Sequence, residues 1–283
     1  MPSVYRPRLK AATWACLILP ALVAEAAADE WASEHGKVNT ADATPVGARV
    51  LELELSYAPS WAWRRGWGSF EDSPAAYEHM LGLSATWGPT DDLDLSLKSG
   101  YGFVHEASEG DHPGIEDGHG HGDAAISARY RFYSTKELDL AAITGFVLPT
   151  GADASPGEQL GISQAHFSWD GAVVASSDAG AATANLELGL EVPMGSGRKD
   201  LRGVGLANLA GGYHIATWLQ PEVELNYQHI FADGPDADLL AATLGVVVPW
   251  GAGHRLTAGL QQAVWGHGIP AFTAASMAYK AAF

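Results

Sequence analysis

The chain has 283 residues, with 16 basic side chains against 33 acidic ones and a formal net charge of −17. A surface that acidic repels phosphate backbones, which excludes nucleic acid as a partner. Cys16 is its one cysteine and falls within the first 28 residues, so disulfides and thiolate-held metals are excluded from the rest.

Arg6, Arg8 and Lys10 form a basic start, Ala11 to Ala24 an apolar run broken by Pro20, and Ala24, Ala26 and Ala28 a small-residue site. This is the pattern of a secretory signal peptide over 1–28, too short in its apolar part for a membrane helix of about 20 residues. Removing it leaves 13 basic and 32 acidic side chains, a formal charge of −19. Residues 29–47 are then expected as a periplasmic N-terminal segment and 48–283 as the folded body.

From Leu51 onward the apolar period is two, the mark of strands. Leu51, Leu53, Leu55 and Tyr57 alternate with Glu52, Glu54 and Ser56. Leu93, Leu95, Leu97, Tyr101 and Phe103 alternate with Asp94, Ser96 and Lys98, and Ile126, Ala128, Tyr130 and Phe132 with Ser127, Arg129 and Arg131. The same rhythm returns over Asn185–Val192 and Glu222–Phe231, with His229 on the apolar side.

Turn-rich short connections at 88–92, 134–137, 177–181, 219–222 and 249–254 alternate with longer ones at 58–77, 104–122, 149–163, 194–204, 232–237 and 266–271. Spans near ten residues, short turns on one side and long loops on the other define an antiparallel transmembrane β-barrel. About twelve strands are expected, and the all-β fold satisfies every backbone polar group without an edge. The ending AFTAASMAYKAAF, with Phe283 last, resembles the strand by which outer-membrane barrels are recognised for insertion. Aromatics at strand ends (Tyr57, Trp87, Tyr101, Phe103, Tyr130, Phe132, Trp169, Trp218, Trp250, Trp265) fit interfacial girdles.

The polar parity assigns Glu52, Glu54, Asp94, Lys98, Arg129, Arg131, Asp170, Glu187, Glu191, Glu222 and Glu224, with His214 and Lys280, to the lumen. Charges there pair across strands or set a selectivity field. The loop SWAWRRGWGSF (60–70) offers Trp61, Trp63, Arg64, Arg65, Trp67 and Phe70 as a stacking platform, a lipopolysaccharide anchor or a segment packed back into the barrel.

The stretch HEASEGDHPGIEDGHGHGD (105–123) falls on the long-loop side, between two strands. If the strand runs unbroken, Asp117, His119, His121 and Asp123 share the lumen face of Ser127, Arg129 and Arg131. Imidazole and carboxylate suit zinc, nickel or copper, so a divalent metal at this extracellular loop is the alternative to a hydrated acidic loop. No other cofactor is implied. G-x-S-x-G, P-loop and H-E-x-x-H motifs are absent, so no catalytic residue is assigned and an enzyme is not expected.

GHGDAAISARYRFY (120–133), ITGFVLPTG (143–151) and LGISQAHFSWDGAVVAS (160–176) together resemble the MetA-pathway of phenol degradation family, transporter-like outer-membrane barrels. His119-Gly120-His121 departs from that family's usual form. The resemblance implies passive uptake of small aromatic or hydrophobic solutes and brings no catalytic residues. The expected setting is the bacterial outer membrane, with lipid, lipopolysaccharide, the barrel-assembly machinery and a small solute as partners, and no nucleic acid. Surface metal handling is the second functional expectation.

Overall fold

The computed structural model describes residues 37–63, 69–71, 76–108, 114–152, 162–198, 200–249 and 253–283. The leader, the loop residues Arg64, Arg65 and Trp67, and Trp250 lie outside them. Strands are β1 (Leu51–Trp63), β2 (Ser69–Glu71), β3 (Ala76–Thr90), β4 (Leu93–Ser108), β5 (Gly114–His121), β6 (Ala124–Ser134) and β7 (Leu138–Leu148). They continue as β8 (Phe167–Ala179), β9 (Ala182–Met194), β10 (Leu201–Tyr213), β11 (Gln220–Ala232), β12 (Ala237–Pro249) and β13 (His254–Ala282). No α-helix occurs among the described residues.

The sheet runs β1-β3-β4-β6-β7-β8-β9-β10-β11-β12-β13, and β13 returns to pair with β1, closing the barrel. β13 is 29 residues long and supplies two staves. Its first arm pairs with β12 from Arg255 to His267 and its second with β1 from Ala271 to Ala282. The arms turn at Gly268, whose φ of 66° suits glycine, and the Ala282 N–H donates to Gly253 O at 2.8 Å. β5 extends the β6 stave upward along β4, so the chain crosses twelve times, as the period-two spans predict. β2 adds a short parallel pairing to β13 at the loop end.

The faces are inverted relative to a soluble protein. Leu55, Leu83, Leu97, Leu188, Leu244 and Leu260 stand more than half exposed on the outside, whereas Glu52, Glu54, Asp94, Arg129, Glu187, Glu222, Glu224 and Lys280 are buried within. Apolar-out, polar-in alternation is what lipid outside and a polar lumen inside require. Trp87, Tyr130, Phe132 and Trp218 project near the short turns, and Trp61, Phe103 and Trp265 near the long loops. These two belts occupy the levels where amphipathic rings settle at headgroups. In the outer-membrane layout the short turns are periplasmic and the long loops extracellular.

One parity expectation is corrected. β4 pairs with β6 in the register Leu97↔Ile126, but with β5 as Tyr101↔His121, Phe103↔His119 and His105↔Asp117. The step between them places one extra residue at Gly122-Asp123, a bulge that reverses which face the odd residues take. Ser127 and Arg129 therefore point inward, while Asp117, His119 and His121 point out beside Phe103 and Tyr101.

Residues 29–47 are expected from the sequence as a periplasmic N-terminal segment. The described part from Lys37 to Val46 lies inside the lumen, with Lys37, Val38, Thr40, Ala41, Asp42, Ala43 and Val46 all buried. Small polar residues here fit a crowded, hydrogen-bonding interior.

Candidate functional site: a strapped lumen

The Lys37–Val46 segment crosses the periplasmic mouth as a strap, held by inward side chains of many staves. Glu224 of β11 accepts from Val38 N at 2.7 Å, Asn39 N at 3.0 Å and Thr40 Oγ1 at 3.2 Å. Asn39 Nδ2 donates to Thr243 Oγ1 on β12 at 2.8 Å, and Ala41 N to Glu187 Oε2 on β9 at 3.1 Å. Ala43 N donates to Ser176 Oγ on β8 at 2.9 Å, and Thr44 Oγ1 to Asp139 Oδ2 on β7 at 2.8 Å. Lys37 Nζ donates to Thr183 Oγ1 at 2.7 Å. An extended segment cannot satisfy its own amides, so inward carboxylates and hydroxyls do it instead.

The wall is shaped to receive it. A Cβ added at Gly245 would stand 2.6 Å from Val38 Cγ2, and one at Gly259 2.8 Å from Val38 Cγ1. Ala41 and Ala43 pack with Ala141 and Val174 on the opposite side.

Charges at this level are paired. Asp94 and Arg129, directly opposed on β4 and β6, join through Nη2 at 2.5 Å and Nε at 3.0 Å. Arg129 Nη1 also donates to Asp42 O of the strap at 2.8 Å. Arg131 bridges Asp92 at 2.9 Å and Asp139 at 3.3 Å, and Lys280 lies 3.2 Å from Glu54 and 3.7 Å from Glu52. The lumen residues expected from parity are thus brought together, largely as ion pairs and strap contacts.

Above the strap the lumen opens. One space is lined by Glu54, Met80, Lys98, Asp123, Ile162 and others, and a second by Ala41, Ile143, Asp170, Glu191, Val204 and others. Both are bounded by Lys98, Ala125, Val147 and Gln164, so they adjoin as two parts of the chamber, the second reaching Ala41 of the strap.

The chamber's roof includes Ile162 and Gln164, which precede β8. Asp123, sited at the bulge, accepts from Gly151 N, Ser163 Oγ and Gln164 N at 2.7–2.8 Å. Those bonds fold Ile162–His166 inward. Toward β10–β13, Phe70 packs with the inward cluster of Val204, Ile230, Leu239 and Phe272. Of the aromatic loop, Phe70 thus turns into the barrel, while Trp61 belongs to β1 and faces outward, 42% exposed.

Asp117, His119 and His121 are separated from Asp123 by the bulge. His105 Nδ1 meets Asp117 at 2.5 Å, His119 stacks on Phe103 and His121 lies edge-on to Tyr101. Among the described residues no group of three His, Cys, Asp or Glu is set to hold a metal ion. The strap and Gln164 occupy the lumen at positions that the period-two pattern gave no reason to single out.

The fold is therefore a closed antiparallel β-barrel of outer-membrane type, internally strapped. Among solved structures it is similar to the COG4313 outer membrane channel from Pseudomonas putida F1, with a TM-score of 0.70, 18% identity, and coverage of 87% of this chain and 100% of that one. It is also similar to the translocator domain of the autotransporter NalP from Neisseria meningitidis, with a TM-score of 0.53, 11% identity, and coverage of 82% and 88%. At these identities the likeness is one of fold. No family model matches the chain, and no curated protein matches it by sequence.

Proposed function

We propose that the barrel is a passive outer-membrane channel for small, partly apolar solutes, aromatic ones included. The observation that carries this reading is the chamber between strap and roof, with its mixed apolar and charged walls. Support comes also from the likeness in fold to a solved outer membrane channel. In this reading the leader directs export, the barrel-assembly machinery inserts the sheet, and lipid and lipopolysaccharide meet the outer face.

Purified protein folded to its heat-modifiable form is expected to give discrete conductance steps in a planar bilayer. It is also expected to speed entry of phenol-sized solutes into liposomes. A folded preparation that does neither overturns the reading.

A further inference from the structure

The upper wall of the chamber carries two facing acids, of which Glu191 accepts from Ser168 Oγ at 2.7 Å. One continuous row of cross-strand partners runs Ser127↔Gly145↔Asp170↔Glu191↔Val204↔Ile230. Asp170 and Glu191 thus stand directly opposite each other on the inner face, an arrangement that is destabilising for like charges. Their row neighbours, Gly145 and Val204, offer no cation. Arg129, Arg131 and Lys280 are engaged lower down, with Asp94, with Asp92 and Asp139, and with Glu54. Lys98 lines the same chamber and attracts both Asp170 and Glu187, so its one ammonium is shared between two acids.

Independent of the acids, buried acceptors without partners lie in the wall of this space or beside Glu191. Gln228 is 2% exposed, lines the chamber, and leaves Oε1 without a hydrogen-bond partner. Gln164, at the roof, leaves its buried Oε1 likewise. His166 sits at 3% exposure with Nδ1 2.8 Å from Gln164 O. A carbonyl only accepts, so Nδ1 carries the proton and the neutral ring's Nε2 is an acceptor. That Nε2 has no hydrogen-bond partner and stands 3.9 Å from Glu191 Oε1. Buried polar atoms are normally satisfied, and atoms that all accept call for a ligand that donates.

We propose that the chamber is a binding station for a small primary-amine cation with an apolar body. The ammonium sits between Asp170 and Glu191 within reach of the orphaned acceptors, and the body lies along Ile143, Val147 and Val204. The station rests on the channel reading, since the amine reaches it through the lumen. A bare metal ion is the poorer fit, because no group of three His, Cys, Asp or Glu among the described residues is set to hold one.

The test compares phenethylamine with 2-phenylethanol and phenylacetate, which share its ring but not its cation. In bilayer recordings in potassium chloride, phenethylamine is expected to interrupt the current at concentrations at least about tenfold lower than either congener. Calorimetry on the folded barrel in detergent is expected to rank the three alike. D170N/E191Q abolishes the preference, D170N alone reduces it should the double variant fail to fold, and D233N on the exposed rim retains it.

Equal potency of amine and alcohol, or full amine preference in the acid variants, overturns the station. If no conductance appears at all, the channel reading fails, and calorimetry still decides the amine site. Amine-selective heat lost in D170N then supports the site without transport, and its absence removes both.

Discussion

At the scale of single residues, Glu224 shows why lumen charge and strap depend on each other. Its carboxylate is fully buried and accepts from two backbone amides and a hydroxyl of the strap. Hydrogen bonds to a charged group contribute about 1.5–3 kcal/mol each, and a buried donor left unmade costs a comparable amount. Glu224→Ala removes the acceptor while the amides of Val38 and Asn39 stay in place. The expected result is a rise of about tenfold or more in proteolytic cleavage within 37–46, with the barrel's heat-modifiable migration unchanged. Glu224→Gln, which retains one acceptor oxygen, should fall between the two. Unaltered cleavage in Glu224→Ala would show that the remaining contacts suffice to hold the strap.

At the scale of elements, the bulge at Gly122-Asp123 decides which side the histidine-rich strand faces. Strand parity was legible because lipid and lumen impose opposite polarity on alternate residues. Thus Glu52, Arg129, Glu187 and Glu224 could be assigned inward from sequence and lie there. Parity does not carry across a bulge, however, and Gly-rich HGHGD holds no apolar residue to reveal the reversal. His119 and His121 were misassigned for that reason. The strap was illegible for a different one: KVNTADATPV has neither period, and its partners are dispersed from β4 to β12. Only its small, hydrogen-bonding composition hinted at an interior. The bulge is tested by cysteines placed in a Cys16→Ser background. A bulky polyethylene-glycol maleimide is expected to label His119→Cys and His121→Cys readily in the folded barrel, and Ser127→Cys only after unfolding. Equal protection of all three would return the histidines to the lumen.

At the scale of the whole molecule, the barrel is a wall that stands by its own ladder and a lumen narrowed at three levels. The strap crosses the periplasmic mouth, the Asp123-held Ile162–Gln164 stretch lies over the chamber, and Phe70 packs on the side toward β10–β13. The backbone ladder closes through β1 and β13 without help from the strap, so a chain lacking residues 37–46 should still insert. Its removal releases the acceptors of Glu187, Glu224 and Asp139 into a lumen that water can then enter, and hydration replaces the lost bonds at modest cost. Conductance is therefore expected to rise several-fold. The reversal potential in a salt gradient should also move toward the cation value, because acids rather than strap amides now line the narrow level. Bilayer recordings of the two chains side by side decide the matter. A deletion that folds yet conducts like the intact protein would locate the limiting constriction at Phe70 and the roof instead.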